Sequence, residues 1–353
     1  MFLARGFTSF ERSPLVRFKQ IKAYGEAQMP DLRIVRCHLL SRPLFIAVFA
    51  AWFLSLRVSA QTLITTDSAL NTGTALTTTY NAPGTSGVNG PVHPVSDASK
   101  NLWLMYDNPW GVSSGSGTIV QTYSGSGLIT TTMSLTGLPG GGVDGSPFVL
   151  YGCDQYYGSD KTCWQDQPPQ FPKQLSAMSS LVIDFNYALA GTLANNIDVI
   201  FDEWVCKNNA PTQIPDCLEV ILNPYNLNLT GGWTYHKTLS LSATINGSPG
   251  TWSLDEYSWG SGSLLIAPHS LPGPTSQEVR FDLLPILKTA AADYKTYFPN
   301  DTNTYSWLMG IELGTEFGGA SSQSYTLTLK KLDIEQTLSG SPAPPTNLTT
   351  TVH

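Results

Sequence analysis

Two glutamates, Glu219 and Glu316, stand on segments whose residue alternation predicts β-strands. Successive side chains of a strand point to opposite faces, so Glu219 is expected to point away from the apolar residues Leu218, Val220 and Leu222. A carboxylate placed in this way can be an ordinary solvated surface group. Two carboxyls that share a cleft can instead cleave a glycosidic bond, one as proton donor and the other as nucleophile or as base on water.

The elements that must position these glutamates are predicted to be β-strands. Short β-rich segments separated by Gly, Ser, Pro and Asn are typical of a sandwich or barrel. The predicted strands are Thr118–Tyr123, Leu128–Leu135, Ser180–Tyr187, Ile197–Val205, Leu218–Leu222, Thr251–Trp259, Ser306–Leu313 and Tyr325–Ile334. One helix is predicted over residues 282–294, with Asp282 as N-cap and Pro285 in its first turn. The expected fold is an all-β sandwich of mostly antiparallel strands with one surface helix.

The distribution of charge separates the N-terminal 60 residues from the remainder. They hold 9 of the 19 basic but only 3 of the 26 acidic residues, which leaves 10 basic and 23 acidic residues after position 60. An acidic chain is an improbable partner for nucleic acid. Its content of Gly, Ser, Thr and aromatic residues suits a neutral ligand with hydroxyls and flat apolar faces, such as a sugar.

Residues 1–60 are interpreted as an N-terminal extension that ends in a signal peptide. An apolar stretch at 43–56 follows basic residues and precedes Val58-Ser-Ala60, a small-x-small cleavage pattern. A membrane anchor is the alternative, although about 20 apolar residues are needed to span a bilayer. Met29 is an alternative start. After removal of the signal we expect no membrane association, and the Pro/Thr-rich tail at 339–353 is predicted to be disordered.

Four of the five cysteines, Cys153, Cys163, Cys206 and Cys217, follow the predicted leader. Secretion favours disulfides, and short loops favour the pairings Cys153–Cys163 and Cys206–Cys217 over the two alternatives. Metal binding is the weaker interpretation because no Cys-x-x-Cys motif or His cluster is present. We therefore expect neither a metal nor a cofactor.

Five segments in order resemble glycoside hydrolase family 12, a family of endoglucanases and xyloglucan-specific endoglucanases with a concanavalin-like jelly-roll fold. They are residues 106–117 (YDNPWGVSSGSG), 171–180 (FPKQLSAMSS), 197–204 (IDVIFDEW), 216–222 (DCLEVIL) and 314–319 (GTEFGG). Residues 216–222 resemble the family's nucleophile strand, and residues 314–319 resemble the segment that contains its acid/base. The order and spacing of the segments carry this resemblance, since each is short. It implies a jelly-roll catalytic domain over residues 61–338.

The resemblance implies a role for several residues. Glu219 would be the nucleophile, Glu316 the general acid/base, and Asp202 an acid beside the nucleophile that tunes its pKa. Asn108 and Trp110 correspond to a sugar subsite at which an aromatic ring stacks on a pyranose.

Two further positions on the face of Glu219 depart from the family pattern. Ile221 and Asn223 stand where the family usually has Met and Trp, so a stacking platform is missing there. Asp107 and Pro109 are also unusual within the Trp110 motif. These departures bear on which glucan is preferred.

The implied activity is that of a secreted, retaining endo-β-1,4-glucanase, expected to be a monomer, acting on cellulose, mixed-linkage β-glucan or xyloglucan. Retention predicts carboxyls about 5–5.5 Å apart. The alternative is a lectin-like jelly roll that binds glucan without cleaving it. Two facing carboxylates favour the hydrolase, because a pure binder would gain only their repulsion.

Overall fold

The computed structural model describes residues 61–65, 75–82, 92–96, 102–124, 127–153, 163–164, 169–193, 196–227, 232–260 and 262–340. The predicted signal peptide lies outside these residues, as does the predicted tail beyond Gly340. Among the described residues, none of the helical segments has the length and apolar character needed to cross a bilayer.

Strands make up most of the described chain, and every predicted strand is present. The strands of the first part are β1 (Gln61–Thr65), β2 (Leu76–Ala82), β3 (Val92–Ser96), β4 (Leu102–Tyr106), β5 (Ser116–Tyr123), β6 (Ile129–Thr136), β7 (Val143–Gly145), β8 (Phe148–Cys153), β9 (Cys163–Trp164) and β10 (Lys173–Gln174). Those of the second part are β11 (Met178–Thr192), β12 (Ile197–Cys206), β13 (Cys217–Leu227), β14 (Thr234–Ile245), β15 (Ser248–Trp259), β16 (Ser263–Pro268), β17 (Ser276–Asp282), β18 (Trp307–Leu308), β19 (Gly310–Gly314), β20 (Phe317–Gly318) and β21 (Ser322–Leu338). The predicted strand at 306–313 is divided at Met309 into β18 and β19.

The strands form two layers. The back layer has the order β2-β5-β6-β21-β11-β17-β14. The cleft layer has the order β3-β4-β8-β19-β12-β13-β16-β15. The β14–β15 hairpin belongs to both and joins them into one sheet.

The layers are mostly antiparallel, as predicted, and β13 and β16 pair in parallel. The β14–β15 hairpin lies between them in the chain, so β16 returns in the direction of β13. This pairing places Ser263 directly opposite Glu219.

The core lies between the layers and is rich in aromatic side chains. Phe185 of β11 meets Phe201 of β12 edge to face, with ring centroids 4.9 Å apart. Phe281 of β17 contacts both rings. The contacts of Phe201 with Phe185 and with Phe281 join strands of opposite layers, which confirms the sandwich.

The predicted helix is present as α1 (Leu283–Tyr297) and continues three residues beyond the predicted end. The Asp282 carboxylate accepts a hydrogen bond from the Leu284 N–H at 3.0 Å, as an N-cap should. The apolar side of α1 is buried, and near its C-terminus Tyr294 and Tyr297 line the cleft described next.

Candidate active site

A cleft of about 1040 Å³ is lined by both glutamates. Its other lining residues include the aromatic side chains Trp110, Trp204, Trp233, Trp259, Tyr294, Tyr297, Phe298 and Tyr305. Paired carboxyls surrounded by aromatic rings are suited to a polar ligand with flat apolar faces.

Glu219 is carried by β13, and the alternation of that strand is as predicted. Leu218, Val220 and Leu222 are buried in the core, whereas Glu219 is only partly buried and faces the cleft. The Ser263 hydroxyl donates a hydrogen bond to Glu219 Oε2. The Glu219 N–H donates to the Gly262 carbonyl at 2.9 Å, so both backbone and side chain are held by the same segment.

Glu316 lies in the short loop between β19 and β20, so the prediction that it stands on a strand was wrong. Its backbone N–H donates to Asp198 Oδ1 at 2.9 Å, and its carbonyl accepts from the Asp198 N–H at 3.2 Å. Asp198 therefore fixes the backbone on which the Glu316 carboxyl is mounted.

The electrostatics distinguish the two glutamates. Burial raises the pKa of Glu219, and the hydrogen bond from Ser263 opposes that increase. Burial raises the pKa of Glu316 well above its usual value, and the negative charges of Asp198 and Glu219 raise it further. The arrangement favours an ionised Glu219 beside a protonated Glu316.

Simple alternation predicted that Asn223 faces the open cleft, and this prediction was wrong. The β12–β13 register shifts so that residues 223 and 224 together oppose Ile200, which makes a β-bulge at Pro224. Asn223 is fully buried, and its amide donates to Asp198 Oδ2. The structure therefore places Asn223 behind the site, where it holds Asp198, and does not support direct contact with a substrate.

Burial raises the pKa of Asp198 to about 7, while the hydrogen bonds from Glu316 and Asn223 oppose this. Asp198 thus forms a set of interacting carboxyls with Glu316 and Glu219, and such groups titrate together.

The other predicted residues lie in or beside the cleft. Ile221 lines it and packs with Ile200, Leu265 and Ala267. Trp110 is 44% exposed and lines the cleft, which is inconsistent with a core role. Asn108 adopts a positive φ of 32°, and its carbonyl accepts from the Ser146 N–H at 3.0 Å, so it shapes the turn before Trp110.

Asp202 lies opposite Ile221 in the β12–β13 ladder and so shares the sheet face of Glu219. Its predicted role beside the nucleophile stays a prediction.

Both favoured disulfides are formed, Cys153–Cys163 and Cys206–Cys217. Cys206 and Cys217 face one another across β12 and β13, two positions from the pair formed by Trp204 and Glu219. The second disulfide therefore ties the two strands together at the end where Glu219 is mounted.

The part of the chain that the structure describes contains no cluster of His, Cys, Asp and Glu able to hold a metal ion.

Sequence reasoning missed Asp198, Ser263, Trp233 and Trp259. Asp198 had a signal, since it is the second residue of the 197–204 motif, and Pro224 signalled the bulge that directs Asn223 toward it. Ser263 had none, because its place beside Glu219 follows from the parallel pairing of strands 44 residues apart.

The fold and the site together define a β-jelly roll with two interacting glutamates in an aromatic-lined cleft. No protein-family model matches the sequence, and no curated protein matches it. Solved structures, in contrast, match with probability 1.00.

For three of these structures, the match covers nearly the whole length of the solved chain. Endoglucanase cel12A from Rhodothermus marinus has a TM-score of 0.51 at 16% identity, covering 71% of this chain and 99% of that one. The native family 12 xyloglucanase from Bacillus licheniformis has a TM-score of 0.52 at 15% identity, covering 70% and 99%. A metagenome-derived glycoside hydrolase family 12 endoglucanase has a TM-score of 0.50 at 15% identity, covering 79% and 99%. The chain thus has the fold of family 12 glycoside hydrolases, which confirms the resemblance at the level of the fold.

Proposed function

We propose that this protein is a retaining endo-β-1,4-glucanase with Glu219 as nucleophile and Glu316 as general acid/base. The observation that carries the proposal is that both glutamates line one cleft and interact electrostatically, with the pKa of Glu316 raised further than that of Glu219. The first chemical step needs an ionised nucleophile and a protonated acid, which is the order these environments favour.

In the proposed reaction, Glu316 donates its proton to the leaving glycosidic oxygen while Glu219 attacks the anomeric carbon. The bond to the leaving sugar breaks, and a covalent glycosyl-enzyme forms. Glu316, now a carboxylate, deprotonates a water molecule that attacks the same carbon and releases Glu219. The double displacement retains the anomeric configuration.

The surroundings of the two glutamates support distinct tasks for their neighbours. Ser263 donates to the Glu219 carboxylate and so stabilises its charge. Asp198 holds the backbone of Glu316 and keeps negative charge close to its carboxyl, which favours the protonated acid. Asp202 is proposed as an additional acid that tunes Glu219.

The proposed substrate is a β-1,4-linked glucan, either cellulose, mixed-linkage glucan or xyloglucan. Solved structures of the same fold include an endoglucanase and a xyloglucanase, which supports this substrate class. Trp110 is proposed to stack on a sugar ring, supported by its exposure in the cleft. Secretion as a monomer is part of the proposal, and the two disulfides support an oxidising compartment.

The test compares wild type with Glu219→Ala, Glu316→Ala and the control Glu278→Ala. Reducing-sugar release is measured on carboxymethylcellulose, mixed-linkage glucan and xyloglucan. We expect both cleft variants to lose at least about 10³-fold in rate, since loss of a nucleophile or of an acid/base removes a whole catalytic role. An active Glu219→Ala would remove the nucleophile assignment.

Two further measurements test the retaining mechanism and the lectin-like alternative. Proton NMR of the first-formed product should show the β-anomer, and an initial α-anomer would contradict the double displacement. Wild type that binds glucan but releases no sugar from any of the three substrates would instead establish the lectin-like alternative.

A further inference from the structure

The most exposed large apolar side chain in the described part of the protein is Trp259, at 62%. It ends β15 and lines the cleft together with Trp233. The two indole rings lie 6.0 Å apart between centroids at an interplanar angle of 36°. A large ring this exposed, packed beside a second and partly buried ring, is typical of a binding surface.

Register places this pair on the side of the nucleophile. Trp259 is paired with Ser263 across β15 and β16, and Ser263 is paired with Glu219 across β16 and β13. Neighbouring strands lie about 5 Å apart, so the Trp259 backbone is about 10 Å from that of Glu219. Trp110 lies on the side of Glu316. The N–H of the next residue, Gly111, donates to the Asp144 carbonyl of β7. Strand β7 pairs with β20, which begins at the residue after Glu316.

The two rings are supported by apolar packing on the cleft layer. Trp233 packs against the apolar cluster of Ile200, Ile221, Leu265 and Ala267 on the cleft layer. Trp259 contacts Trp233, so the position of the exposed ring is supported before any ligand arrives. Pre-organised rings lose little conformational freedom on binding.

An aromatic side chain is missing from this face of β13. Asn223, on the segment where the family pattern has a Trp, is withdrawn into the bulge and binds Asp198. The cleft face of β13 after Glu219 therefore presents Ile221, a member of the apolar cluster against which Trp233 packs.

We propose that Trp233 and Trp259 form the sugar-stacking platform on the nucleophile side of the cleft and bind the apolar face of a pyranose ring of the glucan. This inference rests on the proposed function and names the residues that hold the substrate in place of the missing β13 aromatic. With Trp110 on the other side, the two glutamates lie between two aromatic platforms, an arrangement suited to binding the interior of a long chain.

The experiment measures kcat and KM on mixed-linkage glucan for wild type, Trp259→Ala, Trp259→Phe and Trp233→Phe. Leu63→Ala is the control, since Leu63 is a comparably exposed side chain (45%) on β1, which pairs with β21 of the back layer. We expect Trp259→Ala to raise KM about tenfold, which corresponds to about 1.4 kcal/mol and lies in the range of aromatic stacking. Trp259→Phe retains a ring and should raise KM by no more than about threefold, and Leu63→Ala should match wild type.

Melting temperatures separate binding from folding. Trp259 is exposed, so its substitution should leave the melting temperature within about 2 °C of wild type. A Trp259→Ala enzyme with the KM of wild type would overturn the platform while leaving the proposed hydrolase intact. Wild type that neither binds nor cleaves any β-glucan would overturn both the platform and the proposed hydrolase. A tenfold higher KM in Trp259→Ala and Leu63→Ala alike would overturn the platform, because the effect would not be specific to the cleft.

Discussion

The hydrogen bond from Ser263 to Glu219 gives the most direct test of how this site sets the charge of its nucleophile. The Ser263 hydroxyl donates to the Glu219 carboxylate, and this bond lowers a pKa that burial raises. In Ser263→Ala the carboxylate loses this donor, so its charged form becomes less stable. The pKa of Glu219 should therefore rise.

The magnitude follows from the strength of the bond. A hydrogen bond to a charged group contributes about 1.5–3 kcal/mol. A shift of one pKa unit corresponds to about 1.4 kcal/mol, and Glu219 is partly exposed so that water replaces some of the lost interaction. We therefore expect a rise of about one unit.

The assay is the pH dependence of kcat/KM on mixed-linkage glucan. Activity should increase with pH as Glu219 ionises, so the acid limb of the profile reports its pKa in the free enzyme. In Ser263→Ala this limb should move about one unit toward higher pH, whereas the alkaline limb, set by Glu316, should move much less. Ser263→Thr keeps the hydroxyl on a strand that tolerates β-branched residues and is the matched control.

An acid limb that stays in place in Ser263→Ala would refute the reasoning, since the bond would then have no effect on the ionisation of Glu219. A limb that moves equally in Ser263→Thr would also refute it, because the hydroxyl would not be the cause.

Three further predictions concern other parts of the site. Asp198→Asn removes a negative charge that raises the pKa of Glu316, so the alkaline limb of kcat/KM should move to lower pH; an unmoved limb would argue against the interaction. Replacing Cys206 and Cys217 by Ser should lower the free energy of unfolding by about 3 kcal/mol, as expected for a closed loop of this length, and denaturant unfolding measures it. Trp110→Ala should raise KM about tenfold with little change in melting temperature, since the ring is exposed; a wild-type KM would remove its stacking role.

The sequence by itself determined the local elements. Alternation of apolar and polar residues predicted the strand that carries Glu219 and the strand that precedes Glu316, and Asp282 followed by Pro285 predicted where the helix begins. It also favoured both disulfides, because Cys residues 10 and 11 positions apart close short loops. These features depend on residues close together in the chain, where periodicity and loop length act directly.

The tertiary structure decided which side chains surround each carboxyl. The parallel pairing of β13 with β16 brings Ser263 to Glu219, and a bulge at Pro224 turns Asn223 toward Asp198. Asp198 in turn binds the backbone of Glu316, 118 residues away. Such contacts depend on strand register, which is set by packing of whole layers, and a shift of one residue reverses the face of every side chain. The sequence therefore specified the two acids, whereas only the register of the folded sheet decided which groups surround each of them.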